Sequence, residues 1–181
     1  MWTATLARPF FKTRQCEGVR PILQSEALLK FAFGCCAKGC KVELEQGAGP
    51  RQYGAGRQGG AALEIAETRA AAAVRPECAL IGLDEQNAFG ELDWTDALRQ
   101  AQRYAPTFAV PLSMLWRGGG GIIVHVLRPD GTWGFFTIFG GVVQGSQEGS
   151  PVFCLVIGQV LRRVVADARL AGAKNVALAL H

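Results

Sequence analysis

The apolar run Ala79-Leu80-Ile81-Gly82-Leu83 ends in a carboxylate, Asp84, and an aromatic ring follows five residues later at Phe89. A short apolar run bounded by polar residues is expected to form a buried strand, here 78–83. An aspartate at the carboxyl end of such a strand is a rigidly aimed oxygen ligand. Magnesium takes one or two carboxylates and completes its shell with water and substrate phosphates. Phosphoryl-transfer chemistry uses such ions to stabilise the attacking and leaving oxygens. The plainer role for a lone Asp-x-x-Asn is to cap the next turn or helix. Asn87-Ala88-Phe89 weighs against that role, because it returns an aromatic ring to the same end of the strand.

The elements that must position these residues are legible from periodicity. Residues 1–20 are basic and irregular, broken by Pro9 and Gly18. From Pro21 to about Lys41, Ile22, Leu23, Ala27, Leu28, Phe31 and Ala32 recur at helical spacing. The glycine-rich stretch 46–60, "QGAGPRQYGAGRQGG", reads as a loop whose Arg51, Tyr53 and Arg57 could touch a ligand. Ala61 to Val74 is an alanine-rich helix with Glu64, Glu67 and Arg69 on its polar side, stopped at Arg75-Pro76. Trp94, Ala97, Leu98 and Ala101 predict a helix over 94–104, capped by Asp93 or Thr95. Pro106 to Trp116 is expected to form a second. Two β-branched and aromatic runs over 122–139 flank Pro129-Asp130-Gly131, which predicts a hairpin. Residues 151–166 read as an apolar helix ending in Arg162-Arg163. The layout is α+β, without a regular strand–helix alternation.

The chain has 181 residues and a slightly positive mean hydropathy of +0.16, enough for one domain or a little more. No uninterrupted apolar run reaches the roughly 18 residues that a span needs, and the first residues lack the order of a signal peptide. A protein with no membrane partner, intracellular (cytoplasm or nucleus) and not secreted, is the expectation. Nine basic residues face four acidic ones over 1–60, three face eight over 61–100, and seven face three over 101–181. A basic flank around an acidic centre suits an enzyme that handles polyanions at a metal site, although solvated helix faces give similar asymmetry. Cys35, Cys36 and Cys40 lack a Cys-x-x-Cys pair, and only two histidines, His125 and His181, are present. That argues against zinc and leaves the cysteines as small apolar residues of a buried helix. His125 is expected to pack in mid-strand.

"LIGLDEQNAFGELDW" resembles the first catalytic motif of reverse transcriptases, in which a strand ends in aspartate and an alanine–aromatic pair follows. A second stretch, "GGVVQGSQEGSPVFCLVIGQVL" (140–161), resembles the family's next motif, a Gln-Gly turn leading to Ser-Pro and an apolar helix. Here four residues, 146–149, separate Gly145 from Ser150, where three are common, and Glu148-Gly149 offers an alternative register. Upstream, "GVRPILQSEALLKFA" (18–32) and "GPRQYGAGRQGGAALEIAETR" (49–69) resemble the finger segments of non-long-terminal-repeat retrotransposons, in the same order.

The resemblance runs from about Arg8 to Arg169. It implies the fingers and partial palm of a right-hand polymerase, with residues 1–76 fingers-like and 77–181 a partial palm. The antiparallel palm sheet would carry Asp84 and be backed by helices 94–104 and 151–166. It implies RNA-directed DNA polymerase activity in the complete protein, with two Mg2+ ions, an RNA template, a DNA primer and deoxynucleoside triphosphates. Asp84 would be the catalytic metal ligand, with Glu85 lending its backbone carbonyl. Phe89 would be the gate that excludes a ribose 2′-hydroxyl. Gln144, Gly145 and Arg20 would contact substrate, and Lys12, Arg51 and Arg57 nucleic acid. The family's third motif, an aromatic-x-Asp-Asp hairpin, has no counterpart: beyond residue 96 the acids are Asp130, Glu148 and Asp167. Asp130 suits its turn and Asp167 a helix surface. The final "NVALALH" resembles the strand that leads to the missing motif, so the chain is expected to stop short of a complete active site and to be inactive alone. A non-catalytic nucleic-acid-binding remnant of a retroelement is the alternative.

Overall fold

A computed structural model describes residues 5–11, 19–24, 26–50, 52–54, 57–76, 87–116, 121–143 and 145–172. Four strands, β1 (Thr5–Phe11), β2 (Val19–Gln24), β3 (Ile122–Leu127) and β4 (Trp133–Ile138), form one sheet in the order β2-β1-β3-β4. Six helices accompany them: α1 (Ala27–Gly39), α2 (Lys41–Ala48), α3 (Gly60–Val74), α4 (Trp94–Tyr104), α5 (Pro106–Trp116) and α6 (Gly149–Leu170). The chain is α+β.

The sheet is mixed rather than antiparallel throughout. β1–β2 and β3–β4 are antiparallel pairs, but β1 meets β3 in parallel, with Thr5 opposite Val124 and Leu6 opposite His125. The connection between β1 and β3 passes through helices, which is the long crossover a parallel pair requires. The expected strand 78–83 lies outside the described residues. Two expectations near the N-terminus are corrected. Within the stretch expected to be irregular, residues 5–11 and 19–20 are strand, and the helix expected from Pro21 begins only at Ala27. Pro21 faces Pro9 in the β1–β2 register and lies on β2, an edge strand of the sheet, where a residue without an N–H is tolerated.

The core is helical. Residues on α1, α2, α4, α5 and α6 share one apolar cluster, so residues on both sides of position 76 pack together. On α4 the expected set, Trp94, Ala97, Leu98 and Ala101, is buried, and Asp93 caps the helix by accepting from the Asp96 N–H at 2.9 Å. Thr95 is not the cap. On α1 the expected apolar set faces outward. Leu28 is 68% and Phe31 71% exposed, whereas Phe33 is buried, with Leu29, Cys36 and Ala37 partly so. Phe33 meets Phe108 of α5 edge-to-face at 6.3 Å. The start of α5 is held from α2, where the Glu43 carboxylate accepts from the Thr107 N–H (3.1 Å) and hydroxyl (2.6 Å). It thereby satisfies one of the free N–H groups of that terminus.

The hairpin expectation holds in detail. Asp130 accepts from the Thr132 N–H (2.9 Å) and hydroxyl (2.7 Å), and Gly131 takes φ +80°. Those hydrogen bonds hold the Asp130 carboxyl below its usual range, which makes it a turn residue. Asp167 lies on the exposed surface of α6, 3.9 Å from Arg163. His125 is half-buried in mid-strand, with its ring 6.4 Å from that of Phe135. The hairpin reaches the helical core through Ile122 and Ile138.

The loop expected over 46–60 starts later, because Gln46–Ala48 belong to α2. Its glycines serve packing there. A Cβ on Gly47 would stand 2.6 Å from Leu155 of α6, and one on Gly158 of α6 would stand 2.2 Å from the Ala48 carbonyl oxygen. Arg162 seals the same crossing: its guanidinium donates to the Gly47 carbonyl and lies 5.4 Å over the Tyr104 ring. α3 matches its predicted span, yet only Gly60 of it is buried. By length and composition α6 could cross a membrane, because a window that tolerates a few charges is longer than any uninterrupted apolar run. Its first half instead packs in the core through Val152, Cys154, Leu155 and Gly158.

Gly158→Ala sets two effects against each other. Helix propensity favours alanine by about 1 kcal/mol. Overpacking against a backbone carbonyl costs about 1–3 kcal/mol. The expected result is a net loss of about 1 kcal/mol or more in urea unfolding, whereas a gain would mean that the α2–α6 crossing is loose.

Candidate functional site

Two segments far apart in sequence are stitched together around Phe89. Asn87 takes the left-handed region at φ +54°, a conformation its short amide tolerates, and donates from Nδ2 to Glu91 at 3.0 Å. The turn it starts closes with the Gly90 N–H on the Asn87 carbonyl at 2.8 Å. Residues 141–142 then lie against it. The Val142 N–H donates to the Phe89 carbonyl and the Gly141 N–H to the Leu92 carbonyl, both at 2.7 Å. Trp94 completes the seam, its indole N–H reaching the Gly141 carbonyl at 2.6 Å in the buried interior. Gly141 has φ +75°, and a Cβ there would lie 2.7 Å from the Gly90 carbonyl oxygen, so only glycine fits.

The Phe89 side chain points toward α6. Its ring stacks on Phe153 with centroids 4.7 Å apart and 18° between planes, and it lies 3.8 Å from the Cβ position of Gly149. Between the seam and the helix runs the turn of Gly145 (φ +98°) and Ser146, whose hydroxyl donates to the Val143 carbonyl at 2.8 Å. The helix begins at Gly149, so Ser150 and Pro151 are its second and third residues rather than its boundary. Proline remains suitable there, since the N–H groups of the first turn have no partner within the helix.

Glu148, the residue before α6, is 4% exposed. Burial pushes its carboxyl above the ordinary range. Only the alternative register of the sequence had pointed to it. Cys154, one turn into α6, is likewise buried, and its thiol is pushed up to about 12. Cys40 is buried at the α1–α2 junction and raised by burial too, while Cys35 is exposed on α1. The cysteines are therefore not all interior.

The other expected site residues are scattered or lie beyond description. Asp84, Glu85, Gln144, Lys12 and Arg51 lie outside the described residues. Arg20 sits on β2 opposite Phe10 of β1. Arg57 is exposed, 5.0 Å over the Tyr53 ring, and donates to the Pro50 carbonyl at 3.1 Å. Phe89 and Gly145 are thus the two expected site residues that the fold draws to one place. Among the described residues, no three His, Cys, Asp or Glu side chains converge as a metal site. They do not by themselves fit a magnesium ion. Residues to which no motif had pointed also gather here: Phe153, Gln147 and the lysines of α1 and α2. The helical offsets of four in Lys30-Gly34-Lys38 were the signal available for the last of these.

No family model, no curated protein and no solved structure matches the chain.

The raised Glu148 carboxyl has a definite linkage sign. Well below the ordinary value of 4.5 the group is protonated folded and unfolded alike. Above it the unfolded chain releases its proton first, so stability falls as pH rises toward the folded value. Glu148→Gln removes that loss. The urea midpoint of the variant is expected to exceed that of the native chain by a margin that widens between about pH 4 and about pH 7. A constant margin would mean that Glu148 ionises freely in the folded protein.

Proposed function

We propose that this chain is the fingers and partial palm of a reverse transcriptase, an RNA-directed DNA polymerase of retrotransposon type. On this reading it engages an RNA template paired with a DNA primer. One observation carries the proposal. The two segments that resemble successive reverse-transcriptase motifs, 80–94 and 140–161, meet where residues 89–94 hydrogen-bond to Gly141 and Val142. The aromatic of the first lies on the helix of the second. Residues that would sort a nucleotide by its sugar and support its template base need that adjacency. Chance resemblance in two unrelated stretches does not require it.

In this reading Phe89 takes the gate position, with Phe153 stacked behind the ring to hold its rotamer. Gly145 supplies a backbone that a base pair can approach closely. Asp84 and Glu85 are the proposed ligands of the two Mg2+ ions, which in the complete protein would neutralise charge on the phosphates of the deoxynucleoside triphosphate. Lys12, Arg20, Arg51 and Arg57 are the proposed phosphate contacts. With no Asp-Asp pair anywhere in the 181 residues, binding is proposed for this chain and polymerisation is not. The alternative, a non-catalytic nucleic-acid-binding remnant, shares the binding half and differs only in whether Phe89 ever meets a sugar.

The purified chain is expected to bind a primer–template in fluorescence anisotropy, with log Kd rising steeply with log salt as counterions are displaced. It is expected to extend no primer with magnesium or manganese. Absence of binding at low salt, or a flat salt response, sinks the nucleic-acid reading. Measurable incorporation shows that the missing metal ligands are supplied by other residues.

The gate needs a chain restored to activity by a downstream Asp-Asp segment. There Phe89→Ala is expected to admit ribonucleotides, losing roughly tenfold or more in selectivity, the equivalent of about 1.4 kcal/mol. Unchanged preference for deoxynucleotides at normal activity would leave Phe89 a packing residue of the α6 interface.

A further inference from the structure

A groove of about 590 Å3 opens between α1, α2 and the start of α6. Its walls include Lys30, Phe31 and Lys38 of α1, Lys41 of α2, and Gln147 and Pro151 at the entrance to α6. No carboxylate is among the residues that line it. Lys41 has Glu45 3.7 Å away, but both side chains are largely exposed, so the pair neutralises little. Lys30 and Lys38 form no ion pair among the described residues. They stand eight residues apart on one helix, about 12 Å along its axis, with Gly34 between them leaving the floor bare. Opposite stands the amino end of the 22-residue α6, where free N–H groups and the helix dipole favour anions. Phe31, 71% exposed, offers its ring within the same groove.

We infer that this groove binds a single-stranded nucleic-acid segment, with Lys30, Lys38 and Lys41 on successive phosphates and a base stacked on Phe31. Cations spaced along a trough beside an exposed ring are the combination by which single strands are held without sequence preference. A free phosphate uses the lysines but has no use for the ring, whereas an acidic peptide uses them without stacking. Gln147 and Pro151 belong to the turn and helix start against which Phe89 packs, so a strand in the groove would run alongside the proposed primer–template site. The inference rests on the nucleic-acid reading above, and extends it to residues that reading did not use.

The test is anisotropy of a labelled twelve-nucleotide RNA with the full chain across a salt series. Lys30→Gln/Lys38→Gln/Lys41→Gln is expected to weaken binding at least tenfold and to lower the magnitude of the log–log salt slope by about 2. Phe31→Ala is expected to weaken it about fivefold or more while leaving the slope unchanged. Phe31, Lys38 and Lys41 are exposed and Lys30 is half-buried, and thermal unfolding checks that the variants fold. Native affinity in the triple variant overturns the groove while leaving the nucleic-acid reading intact, provided the native chain binds both the oligonucleotide and the primer–template. No binding by the native chain to either overturns both. Loss in the triple variant with no effect of Phe31→Ala, together with equal competition by poly-glutamate, makes the groove a generic anion surface and overturns the proposal of a stacked strand.

Discussion

The buried hydrogen bond from the Trp94 indole to the Gly141 carbonyl joins residues 47 apart in sequence, and most of the molecule's order hangs on that join. Made, such a bond adds only about 1 kcal/mol net. Broken, it strands a donor in the apolar interior at a cost of about 1–3 kcal/mol. Trp94 also stacks face to face on Trp116 at 5.4 Å, so the same side chain fixes α4 against the end of α5. The two backbone bonds from Gly141 and Val142 then lock the turn that carries Phe89. Because the carbonyl of Gly90 sits where a side chain at 141 would go, the contact demands glycine on one side and a tight turn on the other. One aromatic residue thus aligns the hairpin's exit, α4, α5 and the entrance to α6.

Elements governed by local chemistry were legible in the sequence. The cap of α4, left open between Asp93 and Thr95, the turn at Asp130 and the hairpin around it depend on neighbours a few residues away, and each is found where the residue types placed it. Elements governed by what lies opposite were not. Two apolar stripes compete on α1, and periodicity picked Leu28 and Phe31 over Leu29 and Phe33, since nothing within α1 says that Phe108 waits on one side only. The N-terminal strands were missed for the same reason. Proline-bearing basic segments have little strand character alone, and β1 is recognisable only through its pairing with β2 and β3.

The candidate site divides along the same line. The order of the motifs could be read from residue types, but no residue type set Phe89 against α6. That Phe153 is the ring behind Phe89 could not be read, because Phe153 is one apolar residue in an apolar helix. Nor could Glu148 be identified as buried. Its neighbours Gln147 and Ser150 are exposed and polar, and the local sequence 144–149 reads as a solvated turn. Burial there follows from the seam, which draws the turn onto the core.

The uneven charge acquires a physical meaning once partners are assigned. Four acids of the central segment, among the described residues, are used locally. Glu91 accepts from Asn87, Asp93 caps α4, Asp96 meets Arg99 at 2.6 Å, and Glu67 accepts from Tyr53. Among the basic residues, Arg57 and Arg162 are tied to backbone carbonyls and lie over aromatic rings, a role that the planar guanidinium suits. The lysines of α1 are different. Lys30 and Lys38 hold no carboxylate among the described residues, and the helix that carries them turns one apolar stripe inward and leaves Phe31 beside them in solvent. A fold that only needed α1 for its core gains nothing from an outward aromatic set between unpaired cations. Arginines tied to carbonyls and rings, and lysines left open at the groove, are therefore two distinct uses of one excess of positive charge.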